Sequence, residues 1–327
     1  MELDPEVAAA LKETGRYMIQ SNLDTYEGIV AMRNEVNRIG ELFNATLDRS
    51  GVVTESRVIP GPPDAPELTI RIHRPEGVTR DGAKLLPCLY HVHGGGMVAG
   101  SAVRDDGILL GLVRQLKCVA TSVEYRLAPE HRGPALATDA YYGLKWVCAN
   151  AKALGIDEDR IVLGGISGGG GVAAAACIMA RDLGGTKLCL QWLITPQLSD
   201  RNDTPSAHGD WIGWPRHLNV GAWKAVLGDR YGTDNVSAYE AAPRATDLSG
   251  LPPTFIEVAT LEVFRDDGIN YAQRLLHAGI QTELHVYAGG FHGFHLFAPK
   301  TRVARLAAEA RVSALRRAWW PLGDSLG

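Results

Sequence analysis

The chain has 327 residues, of which 46% are hydrophobic and 21% charged, a composition typical of a globular protein with a large buried core. Its formal charge of -4 gives no indication of a nucleic acid or an anionic membrane as a partner, because both require clustered Lys and Arg. The acidic N-terminus and the lack of a run of about 18 apolar residues predict a cytoplasmic protein without a secretory signal or membrane span.

The five cysteines are scattered along the chain, and no CxxC pair or Cys/His cluster has the spacing of a zinc site. Four of them lie inside apolar runs, which predicts small buried thiols in a reducing compartment. The sequence therefore predicts no metal site. The cysteines are Cys88, Cys118, Cys148, Cys177 and Cys189.

Residues 4–48 predict helices, because their apolar residues recur with helical spacing on two successive faces. We assign residues 1–50 to an N-terminal helical segment that belongs to a cap. The first face consists of Val7, Leu11 and Ile19, and the second of Ile29, Met32, Val36, Ile39 and Phe43.

From Val52 onward short apolar runs replace the helical pattern, and helix-like segments alternate with most of them. This alternation predicts an α/β fold with a mostly parallel sheet covered on both faces. The first two strands lack a long crossover, so they are expected to form an antiparallel hairpin at the sheet edge. Strands are predicted near 52–59, 67–74, 85–92, 119–125, 161–165, 188–194, 254–259 and 282–287, and helices near 103–117, 134–154, 168–183, 266–279 and 300–318.

Residues 197–250 interrupt this alternation with prolines, three tryptophans and one helical stretch near 216–229. An insertion of this length is typical of a functional lid, so residues 51–327 predict a catalytic domain with a cap insertion at about 197–250. The alternative is a surface subdomain without substrate contact. Trp211 and Trp214 are candidate substrate-binding residues, and packing within the cap's own core is an equally open alternative.

The segment Gly165-Ile166-Ser167-Gly168-Gly169 fits the pattern G-x-S-x-G. A predicted strand precedes it and a predicted helix follows it, which is the setting that exposes a nucleophilic serine. The flanking glycines leave room for a strained turn, and the helix N-terminus favours negative charge at Ser167. The alternative is a glycine-rich turn that packs a helix against a strand.

The motif His93-Gly94-Gly95-Gly96 follows the predicted strand at 85–92. Its glycines expose the backbone, so that N–H groups point at a carbonyl oxygen as it becomes an oxyanion. We assign this role to the N–H groups of Gly95 and Gly96, with that of Gly168 as a third donor. His93 itself is predicted to be a structural hydrogen-bonding residue.

A serine hydroxyl needs a base to accept its proton, and His292 is the predicted base. It lies on a glycine-flanked loop just past the strand predicted at 282–287, where it is well placed to reach the site. His285 falls within the alternation of that strand and is predicted to be structural. His295 is a rival that the sequence does not exclude.

The third member of such a site orients the imidazole and stabilises its charged form. Three carboxylates follow the strand predicted at 254–259, and the chain order of serine, acid and histidine fits this role. Glu262 lies closest to the strand end and is the predicted acid. Asp266 and Asp267 open the next helix, where an N-cap role is the alternative explanation.

Together these motifs resemble the hormone-sensitive lipase-type esterases, which include bacterial family IV esterases and plant carboxylesterases. The resemblance covers about residues 91–297. It implies an α/β-hydrolase fold with eight strands and a helical cap, no cofactor, and a preference for short acyl chains. Its blocks are the His93-Gly96 motif, Tyr125-Arg126-Leu127-Ala128-Pro129-Glu130, the serine turn, Glu262–Gly268 and His292-Gly293-Phe294, and it implies structural roles for Tyr125, Arg126, Pro129 and Glu130.

The sequence departs from the family pattern in three places. Where the family usually has G-D-S-A-G, this chain has Ile166 and Gly168, which removes a carboxylate but keeps a backbone donor. Glu262 occupies the position of the usual catalytic Asp, so the geometry must accommodate a longer acid. The stretch 131–134 replaces a proline-rich segment, and this change is expected to reshape the cavity wall.

We therefore predict a serine carboxylesterase that hydrolyses small or short-acyl esters through an acyl-enzyme, without a cofactor. One alternative uses the same residues for lactone hydrolysis, acyl transfer, or a lyase or cyclase step on a specialised metabolite. Another is a non-catalytic receptor, but receptors that resemble this family lose the catalytic histidine, and His292 is present. The predicted partner is a small-molecule ester and not a nucleic acid, and the sequence leaves a homodimer open.

Overall fold

The structure is a computed structural model that describes residues 1–14, 21–77, 85–184 and 186–321. In these ranges, no helix combines the length and the apolar character that a membrane crossing requires. Ile19, which we assigned to the first apolar face, lies outside the described residues.

An eight-stranded sheet forms the centre of the described chain. Its strands are β1 (Val52–Ile59), β2 (Leu68–Pro75), β3 (Leu86–Val92), β4 (Val119–Glu124), β5 (Ile156–Ile166), β6 (Leu190–Ile194), β7 (Thr254–Leu261) and β8 (Thr282–Phe291). Their order in the sheet is β1-β2-β4-β3-β5-β6-β7-β8. Strand β2 pairs antiparallel with β1 and β4, and the other neighbours pair parallel. The predicted fold and the edge hairpin are confirmed.

Helices cover both faces of the sheet. They are α1 (Pro5–Thr14), α2 (Tyr26–Ala45), α3 (Asp106–Leu116), α4 (Ala135–Ala149), α5 (Gly168–Leu183), α6 (Arg216–Leu227), α7 (Arg265–His277), α8 (Phe294–Phe297) and α9 (Arg302–Trp319). One buried cluster joins α4, α5 and α7 to the sheet, and a second joins α3 and α9 to its other face. All of β3 is buried: Cys88 and Tyr90 enter the first cluster, and Leu89 enters the second. A continuous apolar run is what a strand buried on both faces requires.

Two strands extend beyond the limits that the apolar runs predict. Strand β5 begins at Ile156, which pairs with Leu86, but the polar residues 157–160 and a register shift separate this pair from the apolar run. Strand β8 continues to Phe291 through two glycines, and Phe291 pairs with Leu261 of β7. The apolar pattern misses both extensions because polar residues interrupt it in β5 and two glycines interrupt it in β8.

The N-terminal segment is not one helix, because the described residues 21–25 between α1 and α2 are non-helical. Thr25 caps α2 by accepting a hydrogen bond from the N–H of Gly28 at 3.1 Å. The segment contacts helix α6 of the 197–250 insertion: a β-carbon built on Gly221 would lie 2.6 Å from Leu23 Cβ. The two parts that we predicted to form a cap are therefore in contact.

Candidate active site

Ser167 lies at the tight turn between β5 and α5. Its backbone has φ 57° and ψ −124°, a strained conformation for a residue with a side chain. The turn needs glycine on both sides: a β-carbon on Gly165 would lie 2.2 Å from Gly169 O, and one on Gly169 would lie 2.2 Å from Val92 O. The serine is 7% exposed and stands at the N-cap position of α5.

The hydroxyl of Ser167 is hydrogen-bonded to His292. The distance from Ser167 Oγ to His292 Nε2 is 2.9 Å, and that from His292 Nδ1 to Glu262 Oε2 is 2.7 Å. An ionised carboxylate only accepts hydrogen bonds, so Nδ1 carries the proton and Nε2 is free to accept from the serine. Phe264 holds the imidazole edge-on, with ring centroids 5.0 Å apart.

Neighbouring strand ends bring the acid and the histidine together. Leu261 at the end of β7 pairs with Phe291 at the end of β8, so Glu262 and His292 leave the sheet side by side. Glu262 is fully buried, and its second oxygen accepts a hydrogen bond from the N–H of Ala259 at 2.6 Å. Both carboxylate oxygens thus have a donor, which fixes the side chain.

The two rival acids lie elsewhere. Helix α7 begins after Phe264, so Asp266 and Asp267 lie in its first turn and not at the N-cap. Asp266 accepts a hydrogen bond from the N–H of Ser206 at 2.7 Å. Burial raises the pKa of Asp267 to about 7, and the nearby carboxylates of Asp203 and Asp266 add to this effect.

The glycine loop after β3 faces the serine turn. Gly95 and Gly96 have φ values of +126° and +64°, which favour glycine. A β-carbon on Gly168 would lie 2.9 Å from the N of Gly96 and 2.6 Å from the N of Met97, so the three predicted donors lie in one region. This contact also explains why the chain has glycine where the family pattern has alanine.

The family-like block at Tyr125–Glu130 supports the glycine loop. The hydroxyl of Tyr125 donates to the carbonyl of His93 at 3.0 Å, and the two rings stack. Arg33 of α2 forms an ion pair with Glu130 and also donates to the carbonyls of Val98 and Ala128. The hydrogen bond from Arg33 lowers the pKa of Glu130 to about 2.

A cavity of about 70 Å³ lies over the serine and histidine. Trp214 lines it, whereas Trp211 lies outside its lining, and the Trp211 indole N–H donates to Ser206 O at 2.7 Å. Two depressions of about 420 and 410 Å³ elsewhere contain no serine–histidine pair, so chemistry and not size identifies the site. Lining residues for which the sequence suggested no role at the site are Arg104, Thr195, Gly213, Leu296 and Phe297.

Ile166 and His295, two residues that the sequence raised, also line this cavity. Ile166 is 3% exposed and packs in the second core cluster, where the family pattern would place a carboxylate. His295 does not contact the serine among the hydrogen bonds of the described residues, which leaves His292 as the histidine bonded to Ser167.

A serine in the tight turn after the fifth strand, an acid after the seventh and a histidine after the eighth follow the chain order of an α/β hydrolase. A family model described as "alpha/beta hydrolase fold" matches residues 89–296, and the chain belongs to this family, in its hormone-sensitive lipase-like branch. The resemblance predicted from the motifs is confirmed.

Several of the relatives and solved structures that match the chain are named as esterases. Carboxylesterase NlhH of Mycobacterium tuberculosis is 35% identical over 77% of this chain and 79% of its own length. The arylesterase of Saccharolobus solfataricus is 32% identical over 72% of this chain and 75% of its own. A structure of bacterial heroin esterase has a TM-score of 0.89 and 37% identity, and the match covers 97% of this chain and 98% of that one. The predicted class, carboxylic ester hydrolase, is confirmed.

Proposed function

We propose that the protein hydrolyses small carboxylic esters through an acyl-enzyme, with Ser167 as nucleophile, His292 as general base and Glu262 as the acid that orients it. The observation that supports this proposal is the continuous hydrogen-bonded chain of Ser167 Oγ, His292 and Glu262, with distances of 2.9 and 2.7 Å. Among the alternatives that use the same residues, lactone hydrolysis and acyl transfer would keep the attack by Ser167, and acyl transfer would replace water as the acceptor. A lyase or cyclase step would not pass through an acyl-enzyme.

In the first step, Ser167 Oγ attacks the acyl carbon while His292 Nε2 takes the hydroxyl proton. Glu262 stabilises the imidazolium that forms, and its buried carboxylate is already oriented by the N–H of Ala259. His292 then gives the proton to the leaving alcohol. Water repeats the sequence on the acyl-enzyme and releases the acid with Ser167 restored.

We assign stabilisation of the oxyanion to the N–H groups of Gly95, Gly96 and Gly168. Donors fixed before the reaction act most strongly in a site that excludes water. The contacts that hold the loop, from Tyr125 and Arg33, keep these donors in place without substrate.

The space at the serine favours a small acyl group. Its volume of about 70 Å³ is far below the roughly 300–1,000 Å³ of pockets for drug-sized ligands. A relative named for a small ester agrees with this preference: an ethyl acetate hydrolase of Pseudomonas putida is 28% identical over 90% of this chain. Short-chain acetates and butyrates are therefore the proposed test substrates.

We propose that residues 1–50 and 197–250 form a cap over a catalytic domain. Met32 and Val36 of α2 and Trp214 of the insertion line the cavity, so both parts contribute to its wall. We also propose a cytoplasmic location, because all five thiols are unpaired and suit a reducing compartment. A homodimer stays a prediction.

The direct test compares hydrolysis of p-nitrophenyl acetate and butyrate by the wild type and Ser167→Ala. The variant is expected to lose activity by about 10⁴-fold. Ser313→Ala, on the exposed side of α9, is the matched control and should keep wild-type rates. Mass spectrometry after treatment with an organophosphate should find the label on Ser167. Equal rates for wild type and Ser167→Ala would refute the assignment.

A further inference from the structure

Two titratable side chains other than His292 line the cavity over Ser167. They are Arg104, from the loop before α3, and His295, from α8. Neither has a role in the proposed reaction. A positive charge and a buried imidazole beside apolar groups such as Trp214 are unfavourable unless a ligand or a partner engages them.

Arg104 lies next to the nucleophile. A β-carbon built on Gly94 would lie 2.8 Å from Arg104 Nη1 and 3.5 Å from Ser167 Cβ. The Arg104 side chain is 26% exposed, so it is neither fully buried nor free in solvent. The guanidinium is therefore within reach of a small substrate bound at the serine.

An ion pair with Asp105 does not explain the position of Arg104 at the cavity. Their contact is a single 3.5 Å approach, whereas Arg126 holds the buried carboxylate of Asp139 with two hydrogen bonds of 2.8 and 2.7 Å. Asp105 has a better partner, since its Oδ2 lies 2.8 Å from His91 Nε2. Most of the five guanidinium donors of Arg104 are thus left without a carboxylate partner among the described residues.

His295 supplies a second unengaged group. It is 9% exposed, and neither ring nitrogen has a hydrogen-bond partner among the described residues. Burial lowers the pKa of His295 well below its ordinary value, and the cation of Arg311 contributes, so the ring is neutral near pH 7. A neutral imidazole has one N–H donor, and in His295 this donor has no acceptor among the described residues.

We propose that Arg104 and His295 form a subsite that selects short esters carrying a carboxylate, in addition to the ester group that Ser167 attacks. Arginine suits this role because its planar donors match the two oxygens of a carboxylate. Met32, Val36 and Trp214 enclose the remaining carbon atoms of such a substrate. This inference rests on the proposed esterase function and names the substrate class of the same site.

The test uses two pairs of shape-matched esters, which separate the two sides of the ester bond. For the acyl side, monomethyl succinate is compared with methyl 4-methylpentanoate, in which an isopropyl group replaces the carboxylate. For the alcohol side, acetoxyacetate is compared with 2-methylpropyl acetate. Acid release is followed by pH-stat titration, and the measured quantity is the ratio of kcat/KM for the charged ester to that for the neutral one.

In the wild type this ratio is expected to favour the charged ester in at least one pair. Arg104→Met should lower that ratio by about 10- to 100-fold, mainly through KM, because it removes a charged hydrogen bond. Arg104→Lys should lower it less, since the charge remains, and His295→Phe should lower it by several-fold. The matched control is Arg160→Met, because Arg160 is also 26% exposed, pairs with one Asp and lies outside the cavity lining.

Unchanged ratios in Arg104→Met for both pairs overturn the subsite, and so does a wild type that prefers the neutral ester in both pairs. If the wild type hydrolyses none of the four esters or p-nitrophenyl acetate, the proposed esterase function fails as well. If p-nitrophenyl acetate and the neutral esters are cleaved but the charged ones are not, the subsite alone fails. Thermal melting of each variant identifies loss of fold as a separate effect.

Discussion

Replacing Glu262 with Gln tests the proposed acid, because the N–H of Ala259 fixes which way the new amide group is oriented. The N–H of Ala259 donates to one oxygen of Glu262 at 2.6 Å, and His292 Nδ1 contacts the other at 2.7 Å. In the variant, the amide oxygen must face the Ala259 N–H, so the NH₂ group faces Nδ1. The histidine then carries its proton on Nε2 and cannot accept one from Ser167.

The expected loss of activity in Glu262→Gln follows from these contacts. The opposite amide orientation would place two donors together at Ala259 in a fully buried position, which costs about 2 kcal/mol. Only a few per cent of molecules would therefore hold the productive tautomer. The amide also lacks the charge that stabilises the imidazolium. We expect kcat to fall by about 10³- to 10⁴-fold.

The assay measures kcat and KM for p-nitrophenyl acetate, with Asp266→Asn as the matched control. Asp266 is the rival acid, but its contacts are with Ser206 and Arg265, so this variant should keep most of its activity. Glu262→Ala should retain more activity than Glu262→Gln, because it leaves the histidine tautomer free. A Glu262→Gln enzyme with more than about a tenth of wild-type kcat would refute the reasoning.

Three further predictions concern the cavity wall, pH-dependent stability and the cap contact. Trp214→Ala should raise the hexanoate-to-acetate ratio of kcat/KM for p-nitrophenyl esters, because the indole packs against Gly96 at the cavity; an unchanged ratio contradicts this role. Asp267→Asn should be more stable than the wild type at pH 8. The raised pKa of Asp267 means that the folded wild type is stabilised when this acid is protonated, and the wild type loses that contribution as pH rises from 3.8 towards about 7. In urea unfolding, the advantage of this variant should grow by about 2.5 kcal/mol between pH 5 and pH 8, and an equal advantage at both pH values would refute the cause. Arg33→Met should lower the free energy of unfolding by about 2 kcal/mol, because two loop carbonyls lose their donor, and unchanged urea midpoints would contradict it.

The sequence predicts the residues of the candidate site better than it predicts the cavity around them. Ser167 and His292 lie in motifs whose glycines indicate tight turns of the backbone. In the structure the two side chains are within hydrogen-bonding distance of each other. Glu262 was separable from Asp266 because it follows the strand end directly. Local patterns of this kind predict structure well because the turn itself requires those residues, whatever the rest of the chain contacts.

The cavity wall depends on contacts between distant segments, which periodicity does not encode. Arg104 falls in a stretch without a motif, and its approach to Ser167 arises from the packing of the loop before α3. Trp211 and Trp214 look equivalent in the sequence, yet only Trp214 lines the cavity. The early start of β5 at Ile156 was missed because the polar residues 157–160 separate it from the apolar run.

Helix α2 contributes both to the wall of the cavity and to the support of the glycine loop. Met32 and Val36 form part of the cavity wall, and Arg33, between them in the chain, holds the backbone of the loop that contains Gly95 and Gly96. Under the proposed mechanism, a substrate that pushes this helix outward would also pull on the loop that carries the proposed oxyanion donors. We therefore expect an oversized ester to lose both binding and stabilisation of its developing negative charge.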